Sequence, residues 1–126
     1  MKEIQDTWAK KAKKEGYRSR ASYKLLQINK LYKLIENSEM IIELGSTPGG
    51  WSQVIANLKR ENAKCYAFDL IAMENVEGIN FHHMDLLSIE FNEFINNLDT
   101  KADLILSDMS VNLSGIKIRI LLNNSS

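Results

Sequence analysis

Met40-Ile41-Ile42-Glu43-Leu44-Gly45-Ser46-Thr47-Pro48-Gly49-Gly50-Trp51-Ser52-Gln53 leads from the apolar stretch Met40-Ile41-Ile42 into a tight run of small residues. An apolar stretch of this length reads as a buried strand, and the small residues after it read as a sharp turn into a helix. Glycine lets the chain reverse tightly and brings bare backbone against a ligand. A second apolar stretch, Cys65-Tyr66-Ala67-Phe68, closes on Asp69, nineteen positions after Gly50. A carboxylate at the end of the next strand is placed to accept hydrogen bonds from a ribose diol.

The flanking elements extend this pattern. Strands are expected at about 40–44, at 65–68 closing on Asp69, at 79–84 ending at Asp85, and at 104–106 ending at Ser107-Asp108. Helices are expected from Gly50 or Trp51 to about Leu58, and from Leu87 to Leu98 with Ile89, Phe91, Phe94 and Ile95 inward. The order strand, helix, strand, strand, helix, strand predicts an α/β domain with a mostly parallel sheet. Ligands of such sheets bind beyond the carboxyl ends of the strands, where Glu43, Asp69, Asp85 and Asp108 would converge, although any one of these acids alone reads as a turn residue. Ahead of the first strand, residues 3–14 form a helix stopped by Gly16. Ser19 or Ser22 then caps a second helix with Tyr23, Leu26, Ile28, Leu31 and Leu34 as its apolar set.

Sixteen basic and sixteen acidic residues cancel over 126 positions, but unevenly. Residues 1–33 carry ten Lys or Arg against three acids, and the remainder carries six against thirteen. A basic arm before an acidic body suits a polyanion partner, because Lys and Arg on phosphates release counterions; a solvated basic helix is the plainer reading. The single cysteine, Cys65, excludes an internal disulfide and reads as a buried small apolar residue. His82 and His83, adjacent in a strand, face opposite ways and read as structural or surface residues. No Cys/His cluster has metal-ligand spacing, and no run has the length of a membrane span or the look of a signal peptide. The expectation is a cytoplasmic monomer with no metal and no membrane partner.

A dinucleotide site needs G-x-G-x-x-G with free N–H groups, whereas here the spacing is G-x-x-x-G-G and Pro48 removes a donor. S-adenosylmethionine carries no phosphate and presents a ribose, an adenine and a cationic centre, which an acid-rimmed crevice suits better. The segments Gly16-Tyr17-Arg18-Ser19-Arg20-Ala21-Ser22-Tyr23-Lys24-Leu25, Gly45 to Gln53, Phe68-Asp69-Leu70, and Ser107-Asp108-Met109 with Asn112 and Ser114-Gly115 stand in order along the chain. Together they resemble the FtsJ-like ribose 2′-O-methyltransferases.

That resemblance implies a class I, Rossmann-like methyltransferase fold, S-adenosylmethionine as donor, and ribosomal RNA or the large ribosomal subunit as partner, with a uridine ribose as acceptor. Carried over residue by residue, it implicates Gly45, Pro48, Gly49, Gly50, Trp51, Asp69, Asp85 and Asp108 in cofactor binding. On composition alone Trp51 would serve equally well in core packing. The resemblance makes Lys24 and Asp108 catalytic, in a reaction where a lysine can take the hydroxyl proton or orient the hydroxyl. It leaves Lys10, Lys11, Lys13, Lys14, Arg18 and Arg20 to hold RNA phosphates.

The family's second lysine and its glutamate lie on later strands and find no match here. Ser110-Val111 replaces the usual Ala-Pro, and 116–126 resembles nothing in the family. The chain therefore divides into a basic helical arm (1–38), a partial Rossmann-like domain (39–115) and an atypical tail (116–126). The tail reads as the product of a shifted or stopped frame, although Ile116, Ile118 and Ile120 alternate as a strand would. On this reading turnover is impaired, and a non-catalytic cofactor- or RNA-binding remnant is the alternative. The apolar edge of the last strand is open unless the tail covers it, which would make the fold marginal and prone to aggregation.

Overall fold

A computed structural model describes residues 2–107 and 119–122. Two helices, α1 (Lys2–Glu15) and α2 (Ser22–Tyr32), precede β1 (Met40–Leu44), α3 (Gly50–Leu58), β2 (Lys64–Asp69), β3 (Asn80–His83), α4 (Ile89–Asn96), β4 (Leu104–Ser107) and β5 (Arg119–Leu122). The strands form one sheet in the order β3-β2-β1-β4-β5. β1 to β4 run parallel and β5 pairs antiparallel to β4. This is the α/β, mostly parallel architecture that the alternation of elements predicted.

β1 is central because it is apolar on both sides, with Met40, Ile41 and Ile42 all buried. Such continuous burial is the mark of an interior parallel strand. Its entry is fixed by Asp103, whose two carboxylate oxygens accept from the amides of Glu39 and Met40, each at 2.9 Å. In register, Ile41, Cys65 and Leu104 share one face with Ala67 and Leu106, and α2 and α3 cover it with Leu25, Trp51, Val54 and Ile55. On the other face Phe68 meets Phe91 and Phe94 of α4 edge-on, at 5.0 and 5.4 Å between ring centroids. His82 stacks on Phe68 there, while the Nε2 of His83 bonds the Leu70 carbonyl at 2.6 Å. His82 is thus half-buried among rings and His83 is a surface residue, within the structural or surface roles expected of them. Cys65 is buried, and burial, reinforced by the charge of Glu43, pushes its thiol well above the ordinary value.

Three local readings need correction. α2 starts after Ala21, and no side chain caps it. Its buried stripe is Ser22, Leu25 and Asn29, whereas Leu31 is exposed. Leu31 lies in the last turn but on the outward face, and the helix ends at Tyr32, where Lys33 turns left-handed at φ 51°; Leu34 therefore packs against the core from beyond the helix, and the Asn29 side chain accepts from the Ile35 amide at 2.9 Å. α4 is shorter than the expected 87–98 and Ile89 is 74% exposed, because Ser88 caps the helix by accepting from the Phe91 amide and leaves Ile89 in its outward first turn. β3 is four residues and ends before Met84.

The tail edge has a definite outcome. Leu104 faces Leu122 and Ser107 faces Arg119 across the β4–β5 pair, so the β4 edge is hydrogen-bonded along its length. The alternation noted at Ile116, Ile118 and Ile120 thus yields a strand three residues further on. Ile116 and Ile118 themselves lie outside the described residues, as does Asp108.

Candidate functional site

The β1–α3 turn is built by backbone. Gly45 and Gly49 sit at φ +77° and +116°, a region that favours glycine, and the amides of Gly45 and Ser46 both donate to the Phe68 carbonyl. Asp69 closes the turn: one carboxylate oxygen accepts from the Thr47 amide at 2.8 Å, the other from the Ile71 amide at 2.9 Å. Each oxygen keeps a lone pair for a further donor. Thr47 Oγ1 donates to the Ile71 carbonyl, which ties the turn to the chain beyond β2.

Arg18 clamps the same turn from outside. Its guanidinium donates to the carbonyls of Pro48, Glu74 and Asn75, and its amide donates to Gln53 Oε1. A Cβ at Gly49 would lie 2.9 Å from that guanidinium. Gly50 has a different constraint, since a Cβ there would meet Ser22 Oγ at 2.7 Å and the Ser19 Cβ at 2.9 Å. The start of α3 therefore lies directly against the start of α2. Trp51 completes the junction: it is 3% exposed, belongs to the core cluster, and donates its indole N–H to the Ala21 carbonyl at 2.8 Å.

This junction sets Lys24 and Arg20 beside the glycine turn. A cavity of about 840 Å³ is lined by Lys24, Arg20, Tyr23, Trp8, Thr47 and Pro48, among others. A smaller one, about 60 Å³, lies under the turn against Glu43, Gly45, Ser46, Gly50 and Trp51. The two share Ser19, Ala21, Thr47 and Pro48 in their walls. In the smaller cavity Glu43 is 2% exposed and accepts from Ser52 Oγ, and Ser46 Oγ is buried without a partner. A buried hydroxyl facing a cavity without a bond is a group that awaits a ligand or a water. With the adjacent carboxylate, it gives the turn room for one small polar group of a ligand, such as an ammonium or a hydroxyl of S-adenosylmethionine.

Gly45, Pro48, Gly50, Trp51, Arg20 and Lys24 thus come together. Asp69 is bonded to the turn through the Thr47 amide but lines neither cavity, and Asp85 stands apart: its Oδ1 accepts from the Leu87 amide, its carbonyl accepts from Ser88, and it too lines neither cavity. Lys10, Lys11, Lys13 and Lys14 are exposed along α1, and the Lys11 ammonium lies 5.0 and 5.2 Å from the ring centres of Trp8 and Tyr23. Tyr23 donates its hydroxyl to Glu15, and partial burial together with that carboxylate pushes its pKa up to about 12. Arg18, expected on RNA phosphates, has its guanidinium on the carbonyls of Pro48, Glu74 and Asn75, and the reading of the sequence singled out neither Ser46 nor Trp8. An aromatic residue set among four lysines was the available signal for the last.

A family model described as FtsJ-like methyltransferase matches residues 17–123. The ribosomal RNA large subunit methyltransferase E of Archaeoglobus fulgidus is 45% identical over 115 residues, which are 91% of this chain and 59% of that protein. The protein of the same name from Marinobacter nauticus is 42% identical over 90% of this chain and 56% of its own length. Among solved structures, a Plasmodium falciparum protein described as a ribosomal RNA methyltransferase superposes with TM-score 0.60 at 31% identity, over 79% of this chain and 59% of that one. The chain thus spans a little over half the length of the curated relatives it matches.

Proposed function

Because the chain belongs to the FtsJ-like methyltransferase family, we propose that it serves ribose 2′-O-methyl transfer from S-adenosylmethionine to large-subunit ribosomal RNA. The observation that carries this reading is the shared wall between the cavity under the glycine turn and the larger cavity beside Lys24. A donor site next to an acceptor site is what a one-step transfer between two bound molecules requires.

Gly45 to Trp51 form the cofactor's floor on this reading, with Ser46 Oγ and Glu43 as its polar contacts and Asp69 accepting from a ribose diol. S-adenosylmethionine, when bound, supplies an electrophilic methyl group on a sulfonium. Lys24 orients the 2′-hydroxyl from the other side of the shared wall, with Asp108 assigned to the same step by family position. Lys10, Lys13, Lys14 and Arg20 hold phosphates and bring the acceptor to the cavity. The Arg18 guanidinium, already committed to three carbonyls, keeps the turn in shape.

The test has two stages. Titration calorimetry with S-adenosylmethionine should give saturable binding that Ser46→Val weakens. Transfer of labelled methyl to undermethylated large-subunit RNA should then depend on Lys24 and disappear in Lys24→Ala. Cofactor binding without any transfer would leave a binding module and remove the catalytic reading. Absence of both would remove the reading altogether. Changing Lys13, Lys14 and Arg20 together to Glu should abolish RNA binding, and unchanged affinity at low salt would refute the assignment of α1 to phosphate.

A further inference from the structure

We propose that Trp8 is a stacking platform for an unpaired base of the RNA, received in the cavity that Trp8 shares with Lys24. The inference rests on the RNA-methylation reading and adds to it a positioning residue on α1 that the glycine and lysine motifs do not contain.

Trp8 is 39% exposed although it is the chain's only tryptophan besides the buried Trp51. On a helix of mostly lysine and acid side chains, this indole keeps more than a third of its surface open while its neighbours hold it in place. Its ring lies 5.2 Å from that of Tyr23 at a 49° tilt, and Tyr17 meets Tyr23 edge-on at 5.5 Å. Tyr23 is anchored in turn by its bond to Glu15. The Lys11 ammonium sits near both rings yet is not part of the cavity wall, so it braces the aromatic pair from outside. The cavity they border, about 840 Å³, is roomy enough for a nucleoside with solvent around it. Its remaining wall offers Arg20 and Lys24 as cations and Gln27 as an amide.

An aromatic face beside cations is how single-stranded nucleic acid is gripped: bases stack on the ring while Lys and Arg take the backbone. A base inside a duplex has both faces covered and cannot use the platform. The site therefore favours a loop, bulge or flipped nucleotide, and it would hold the attached ribose near Lys24.

The experiment uses the whole chain with a labelled oligouridylate and a blunt duplex of the same length. Oligouridylate should quench the emission of the wild-type protein but not that of Trp8→Phe, because the remaining tryptophan, Trp51, is buried. Trp8→Leu should lose on the order of tenfold in affinity for the single strand while Trp8→Phe keeps most of it, and both should bind the duplex like wild type. Circular dichroism of both variants checks the fold, and the conservative Phe variant keeps the comparison valid if Leu disturbs α1. Wild-type binding to oligouridylate without quenching, or equal affinity for all three proteins, overturns the platform and leaves the methyltransferase reading standing. A wild-type chain that binds neither RNA overturns both.

Discussion

α3 buries Gly50, Trp51, Ser52, Val54 and Ile55 against one face of the sheet, whereas α4 has no buried residue and meets the other face through the half-buried rings of Phe91 and Phe94. The two helices are nearly equal in length, nine residues and eight. Their difference lies in what they carry. The first turn of α3 is the end of the glycine loop, so any tilt of α3 would move Gly49, Gly50 and the wall shared by the two cavities. α4 carries none of the residues that line either cavity. Packing is dense where a site depends on it and sparse where none does.

The largest effect should come from truncating the principal aromatic contact of each helix. Trp51→Ala removes a buried ring and leaves the Ala21 carbonyl without its donor, so a loss of about 3–5 kcal/mol is expected in urea denaturation. Phe91→Ala removes a half-buried ring and should cost roughly half as much. Equal losses would mean that the α4 face is as well packed as the α3 face.

Gly50→Ala tests the contact that joins α2 to α3. With Ser22 Oγ and the Ser19 Cβ already closer than a normal approach to a methyl group there, the expected cost is about 1–3 kcal/mol, despite alanine's better helix propensity. Adding Ser22→Gly should recover part of the loss, because Ser19 remains in the way. Strict additivity of the two changes would show that the loss has another source. The same double variant should weaken S-adenosylmethionine binding if the junction shapes the smaller cavity.

Ser88→Ala removes the cap of α4, whose hydroxyl accepts from the Phe91 amide and donates to the Asp85 carbonyl. The expected cost is about 1 kcal/mol. Native-state hydrogen exchange should show it first in α4, whose amides should already exchange ahead of those of α3 in the wild type. Protection of α4 equal to that of α3 would erase the contrast between the helices.

The dense side was also the more legible in the sequence. β1 and α3 were found at their observed limits, because a short apolar run, two left-handed glycines and a helix start follow one another within a few residues. Asp69 was located as well, since it only had to end a strand. α2 was misread for a physical reason: two of its three buried positions, Ser22 and Asn29, are polar. Their burial depends on Gly50 and on the Ile35 amide, partners distant in sequence that no hydropathy pattern reveals. Ile89 failed in the opposite sense, as an apolar residue at helical spacing that the cap at Ser88 turns outward. The Arg18 clamp was hidden for the same reason as Asn29, because its carbonyl partners lie 30 to 57 positions away.

The smallest expected effect tests how open the α4 side is. Ile89 is 74% exposed and Leu87 is 93% exposed, so neither holds an apolar contact worth a measurable fraction of the stability. Ile89→Glu puts a better helix former in the first turn of α4 and sets a negative charge near the helix's positive end. The two gains are a few tenths of a kcal/mol each, and the lost burial of a residue so exposed is of the same order. Stability should therefore stay within about 0.5 kcal/mol of wild type or rise slightly. A loss above about 1 kcal/mol would mean that Ile89 has a covering partner in solution. The outer surface of α4 would then be an interface, and its sparse packing against the sheet would be only half of its packing.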